Sequence, residues 1–225
     1  MPLAALLTPD ESELAEHYPT RAEHLADGVV HSIGLTLATL GGASLVAGAL
    51  PHSGSIGATA IGTYALSTTL MLTCSAAYNL TPPTRARRLL RRLDEAGIFV
   101  MIAGSFTPLL LKLAPAGGQA AALWSLAAAG SVAKTLLPCW SDRVWTAIYA
   151  AWAAFSLFIV APSALGLPPT SRLLMAASCL AYGLGVRIFL DQALPYRRAL
   201  WHALVVLGAS FHCGALATVF LSPGA

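Results

Sequence analysis

Charge is scarce in this chain. Of its 225 residues only 10 % are Asp, Glu, Lys or Arg, against 56 % that are hydrophobic. A soluble domain carries about 25 % charged residues, so this composition excludes an ordinary soluble globular domain. Mean hydropathy is +0.69. Cysteine is sparse too: four residues, at 74, 139, 179 and 213, lack the paired spacing of a metal or redox motif. Three of them lie in apolar runs, where cysteine behaves as a small hydrophobe. No cleavable secretion signal is read, because the first 25 residues are polar and acidic-rich. A second domain, a low-complexity tail and an internal repeat are also missing. The net charge of +3 is no nucleic-acid signature. The excess sits in short segments between apolar runs, where it orients membrane spans.

What the chain does have is long apolar runs. A crossing needs about 20 mostly apolar residues. Seven such spans are expected, at 26–50, 56–80, 94–113, 119–137, 144–163, 172–190 and 199–221. The expected class is all-α: a seven-transmembrane helix bundle spanning residues 23–225, behind a polar cytoplasmic lead-in at 1–22. The lead-in opens with Thr8-Pro-Asp-Glu, which has helix N-cap chemistry. Connections are short and rich in Pro and Gly: Pro51-His-Ser-Gly-Ser, Ala114-Pro-Ala-Gly-Gly, Pro138-Cys-Trp-Ser-Asp and Gly166-Leu-Pro-Pro-Thr. Gly and Ala inside the spans permit close helix approach.

Residues 75–94 organise this layout. They run from Ser75 and Asn79, across Pro82-Pro83, through Arg85, Arg87, Arg88, Arg91 and Arg92, to Asp94. Five arginines in eight residues cannot lie in hydrocarbon, so a loop between spans 2 and 3 is expected here. With the N-terminus inside, eleven of the thirteen basic residues fall on the inner side. Only Lys112 and Arg172 fall outside. The positive-inside rule then puts the N-terminus in the cytoplasm and the C-terminus outside. The expected location is the cell membrane, multi-pass, with membrane lipids as the first partners.

That orientation gathers polar residues at one depth. Asp27 and His31 open span 1, Ser75 and Asn79 close span 2, Asp94 and Glu95 open span 3, and Arg198 and His202 open span 7. Ionisable residues in a membrane are costly and usually face an interior or a water-filled cavity. Each also has a plainer reading. Asp27 and Asp94 can serve as helix N-caps, and Arg198 can reach lipid phosphate by snorkelling. His212 lies ten residues beyond His202, about 15 Å along a helix, too deep to snorkel, so it needs a partner inside the bundle.

Four motifs carry a family resemblance. Glu23-His-Leu-Ala-Asp27-Gly-Val-Val-His31 resembles a first-span Glu…Asn…His motif, with Asp for Asn. Ser75-Ala-Ala-Tyr-Asn79 resembles a second-span Ser-x-x-x-His motif. Asp94-Glu-Ala-Gly-Ile, continued by Ala103-Gly-Ser-Phe-Thr-Pro108, resembles a third-span Asp motif. Arg198-Ala-Leu-Trp-His202, with His212 beyond, resembles a seventh-span His-x-x-x-His motif. Together they resemble the hemolysin III family, the bacterial branch of the progestin and adiponectin receptor superfamily, over nearly the whole chain from Glu23. The resemblance implies an inner-leaflet zinc site. Three histidines hold the metal, while Ser75 and Asp94 position a metal-bound water as the catalytic pair of a lipid-amide hydrolase.

The ligand positions depart from that pattern. Asn79 and Arg198 stand where two of the three histidines belong, and only His202 matches. An amide is a poor zinc ligand and a guanidinium cannot be deprotonated to become one. His24 and His31 are seven apart, about 10.5 Å along a helix, too far to share one ion. Three functions stay open. One is a lipid-sensing, binding or structural membrane protein with an altered site. The second is a metal-dependent hydrolase acting on lipid amides. The third is a pore-forming cytolysin.

Overall fold

A computed structural model describes residues 20–113, 118–136 and 141–221. Among these residues all regular structure is helical. Six helices follow in order: α1 Arg21–Leu80, α2 Arg85–Leu113, α3 Gly118–Leu136, α4 Asp142–Ala164, α5 Pro169–Leu190 and α6 Arg197–Phe220. Five of them, all but α3, are long and apolar enough to cross a membrane. Their outward faces carry large apolar side chains: Phe158 is 75 % exposed and Leu173 70 %. Such exposure is costly in water and ordinary against lipid tails.

α1 is 60 residues long, about 90 Å if it were straight, which is far more than one crossing needs. It is not straight. At Gly54 the backbone takes φ 63° and ψ −168°, a region open essentially to glycine alone. Pro51, three residues earlier, removes a helical hydrogen bond. The chain folds back there. Gly42 faces Ala65 and Gly34 faces Leu72, while His31 faces Ser75, so the two arms run antiparallel. The turn expected at 51–55 is present, a tight reversal at Gly54 that joins two helical arms.

The arginine-rich stretch also differs from expectation. The connection between α1 and α2 is only residues 81–84, and all five arginines lie on the opening turns of α2. The pair Pro82-Pro83 stops one helix, and the next starts at once. Arg87 is fully buried. Its Nε donates to the Tyr78 carbonyl at 3.3 Å, and its guanidinium lies 4.8 Å from the Tyr78 ring centroid. It folds back over the end of α1 and sets the angle of the turn.

Contacts at the helix ends show that successive helices alternate in direction. Lys134 at the end of α3 meets Glu95 near the start of α2, 3.0 Å apart. Lys112 at the end of α2 donates to the Val219 carbonyl at the end of α6, 3.0 Å. Ser171 at the start of α5 donates to the Ala215 carbonyl in α6. The arms of α1 pack against α2 and α6, α5 packs on α6, and α3 and α4 pack on α2. Gly104 makes the tightest crossing. A Cβ there would run into Ser67 and approach the Thr63 carbonyl, so only glycine lets α1 and α2 close.

The expected N-cap at Thr8 and most of the turns at 114–118 and 138–142 lie outside the described residues. The helix start inside them is capped by Thr20, whose hydroxyl accepts from the Glu23 amide at 3.2 Å.

Candidate functional site

Three pairs at i, i+4 spacing meet at one end of the bundle. Asp27 and His31 come from the first arm of α1, Ser75 and Asn79 from its second arm, and Arg198 and His202 from α6. The i, i+4 spacing puts each pair on one helix face, and the folded α1 brings the three faces together.

Neither aspartate is a helix cap. Asp27 sits six residues inside α1 and is 0 % exposed. Its carboxylate Oδ1 lies 2.6 Å from His202 Nδ1. Its backbone carbonyl accepts from His31 Nδ1 at 2.9 Å, with the second carboxylate oxygen 3.6 Å from the same nitrogen. Carbonyl and carboxylate oxygens only accept, so both imidazoles carry a proton on Nδ1. Both then turn Nε2 the other way, towards Ser75. His31 Nε2 is 3.3 Å from Ser75 Oγ, and His202 Nε2 is 3.5 Å from it. The two rings meet edge-on, with centroids 4.4 Å apart.

Ser75 is thus the hub. The Asn79 amide donates to its Oγ at 3.3 Å and to its carbonyl at 3.0 Å. Asp94, nine residues into α2 rather than at its cap, also faces Ser75, with His202 and Arg198 close by. A hydroxyl has one proton to give. Here two imidazole nitrogens and a carboxylate compete for it. Arg198 donates to Asn79 Oδ1 at 3.3 Å, which fixes the amide with its NH2 towards Ser75.

The outlying polar residues separate from this centre. Glu23 accepts from the Tyr196 amide at 3.4 Å, at the rim. His212 has the interior partner its depth required: its Nε2 donates to the Ser105 carbonyl at 2.8 Å, between the rings of Tyr64 and Phe106. Sequence reasoning put Asp27 and His31 at the depth of the other pairs but gave neither a contact with Ser75 or His202. The spacing of His31 from Asp27 was the available sign, but its partners on α6 and on the second arm of α1 are far away in sequence. Lys134 was read only as a basic residue. It is buried, paired with Glu95 at 3.0 Å, and its ammonium lies 4.5 Å from the Trp145 ring centroid.

Ser75, Asn79, Asp94, Arg198 and His202 form the polar end of a cavity of about 940 Å³. Beyond them its wall is mostly apolar, including Met101, Ile102, Phe106, Tyr182 and Val205. The cavity lies between α4 on one side and α5 and α6 on the other, and α4 and α5 barely touch.

Asp27, His31 and His202 also form a group that could hold a metal ion, since one ligand-type atom from each lies within 4.8 Å of the others.

Apolar helices packed round a buried polar cluster define a multi-pass helical membrane protein. The family profile described as Haemolysin-III related matches residues 20–213, and the chain belongs to that family. Hemolysin-3 of Bacillus cereus is 28 % identical over 191 residues, covering 84 % of this chain and 87 % of that protein. A hemolysin-3 homolog of Bacillus subtilis (strain 168) is 24 % identical over 201 residues, covering 86 % and 93 %. No solved structure matches.

Proposed function

We propose that this chain is a seven-span membrane protein that binds an amphiphile in its internal cavity, with the zinc site implied by its family altered. The observation that carries the reading is the cavity's two-part wall. A polar end of Ser75, Asn79, Asp94, Arg198 and His202 continues into an apolar length. Binding sites of this kind are largely apolar with a few placed polar groups, and this one matches a molecule with a polar head and a hydrocarbon tail. The weak contact between α4 and α5 suits entry from the bilayer. Each arm of α1 exceeds the about 20 residues of a crossing; with α2, α4, α5 and α6 they make six, and α3, at 19 residues, is the seventh in this reading. The distribution of basic residues supports a cytoplasmic position for the polar end of the cavity.

The donor set argues against the family's zinc arrangement. At two of the three histidine positions stand an amide and a guanidinium hydrogen-bonded to each other. A fixed cation occupies the place of a metal ligand. The group of Asp27, His31 and His202 supports a second reading, a metal-dependent hydrolase. The 2.6 Å contact from Asp27 to His202 weighs against it. Ligands sharing a tetrahedral zinc at bonds near 2.1 Å sit about 3.4 Å apart, so the observed contact is a hydrogen bond.

The test is lipid extraction and mass spectrometry of detergent-purified protein, wild type against Ala153→Trp. Ala153 lines the cavity, and an indole there obstructs part of its apolar length. One amphiphile retained per wild-type chain and lost in the variant is expected. Equal lipid in both would mean boundary lipid only and would defeat the reading. Release of liposome contents by the purified protein would instead favour the lytic role carried by the relatives' printed name.

A further inference from the structure

We infer that Ser75, His202 and Asp27 form a serine acyl-hydrolase triad acting on a long-chain carboxylic ester; this rests on the cavity reading above and adds chemistry to it. The arrangement has the parts such chemistry requires. A nucleophile, a base and an orienting carboxylate are recognised by geometry and role, whatever their order in the chain. Asp27 Oδ1 holds His202 Nδ1–H at 2.6 Å, which fixes the tautomer. His202 Nε2 then faces Ser75 Oγ at 3.5 Å, longer than the about 2.6–3.2 Å of a closed nucleophile–base pair, which is often looser before substrate binds. Ser75 and His202 line the cavity, while Asp27 stands behind them, fully buried.

Two further features fit acyl transfer. His31 Nε2 and Asp94 also face the Ser75 hydroxyl, so the proton of the nucleophile is surrounded by acceptors. Arg198, held by the Asn79 amide oxygen at 3.3 Å, sets a guanidinium at the same end of the cavity wall as Ser75. Fixed donors next to a nucleophile stabilise the negative oxygen that forms on the attacked carbonyl. The apolar wall holds the acyl chain, and the polar end holds the ester.

The reaction closes on ester and water alone. Ser75 Oγ bonds to the ester carbonyl carbon as its proton passes to His202 Nε2, and the carbonyl electrons move to oxygen, beside Arg198. Return of those electrons breaks the bond to the alcohol oxygen. That oxygen takes the proton from His202 and leaves as an alcohol. Water then attacks the acyl-Ser75 ester, giving one proton to His202. Collapse releases the fatty acid and returns the proton to Ser75. Asp27 is a positioning residue throughout, since it touches His202 and not the ester.

The experiment is labelling of the detergent-purified chain with a long-chain alkyl fluorophosphonate, which phosphonylates activated serines, followed by peptide mass spectrometry. Hydrolysis of p-nitrophenyl palmitate is measured alongside. The expected label sits on Ser75. His202→Gln slows labelling by about 100-fold or more, the range for loss of a general base. Asp27→Asn lowers kcat with KM unchanged, and Asp27→Glu restores part of it. The site of labelling is read on the wild type, so the outcome does not depend on any variant folding. Three results would overturn the triad: no label on Ser75 in chains that retain a cavity amphiphile, a label on another serine, or ester turnover stopped by 1,10-phenanthroline and restored by zinc. The first leaves the cavity reading intact, whereas wild-type chains that retain no amphiphile refute that reading first.

Discussion

Removing the Asp27 carboxylate should be among the most damaging single changes at the bundle's polar end. Asp27 is 0 % exposed, His202 is 8 % exposed, and they meet at 2.6 Å. Asp27→Leu deletes a hydrogen bond to a charged group, worth about 1.5–3 kcal/mol, and strands a buried imidazole N–H at a cost of about 1–3 kcal/mol. The two terms overlap, so a loss of about 2–4 kcal/mol is expected. At about 2–4 °C per kcal/mol for a chain of this size, melting should fall by roughly 4–16 °C. His202→Leu should cost a similar amount, because it leaves a buried carboxylate without its partner. The double change removes both polar groups and should cost less than the sum by at least about 1.5 kcal/mol. Tryptophan fluorescence during thermal unfolding in detergent reads this, since Trp201 precedes His202. Costs that add to within about 0.5 kcal/mol would mean that the two side chains do not depend on each other, and the reasoning would fail.

Three other outcomes are expected. A reporter active only outside the cytoplasm should be active after Ala225 and silent at Arg88, and the reverse pair would invert the membrane orientation. Asp94→Asn and Arg198→Gln should be sub-additive in the same melting assay, because both face the Ser75–Asn79 corner; strict additivity would place Arg198 among lipid headgroups. Lys134→Met should destabilise by about 1–2 kcal/mol, below the usual cost of breaking a buried pair because Glu95 keeps Arg91 at 3.2 Å. An unchanged melting temperature would show that the α2–α3 pair contributes nothing.

Much of this arrangement was legible in the sequence. Long apolar runs and scarce charge pointed to a helical membrane protein, and polar residues at matching span ends pointed to one depth. Ser75, Asn79, Arg198 and His202 do meet there. Two things were hidden. A Pro-Pro pair marks the end of one helix but not how soon the next begins, so the arginines after Pro83 read as a loop although they open α2. Local charge density cannot show that Arg87 packs over Tyr78. The central place of His31 was hidden for a different reason. Its contact with Ser75 spans 44 residues, and Asp27 reaches His202 across 175. No local pattern encodes such pairings; they exist because α1 folds at Gly54 and α6 packs in its cleft. The Glu95–Lys134 pair escaped notice similarly, since α2 and α3 contribute one partner each.

The zinc content of the purified protein tests the central claim most directly. Elemental analysis should be run beside a family member that has histidine at all three ligand positions, and beside Asn79→His with Arg198→His in this chain. A site holding an amide and a guanidinium at two ligand positions should leave zinc well below one ion per chain, and the double change should raise it. One tightly held zinc per unmodified chain would contradict the account.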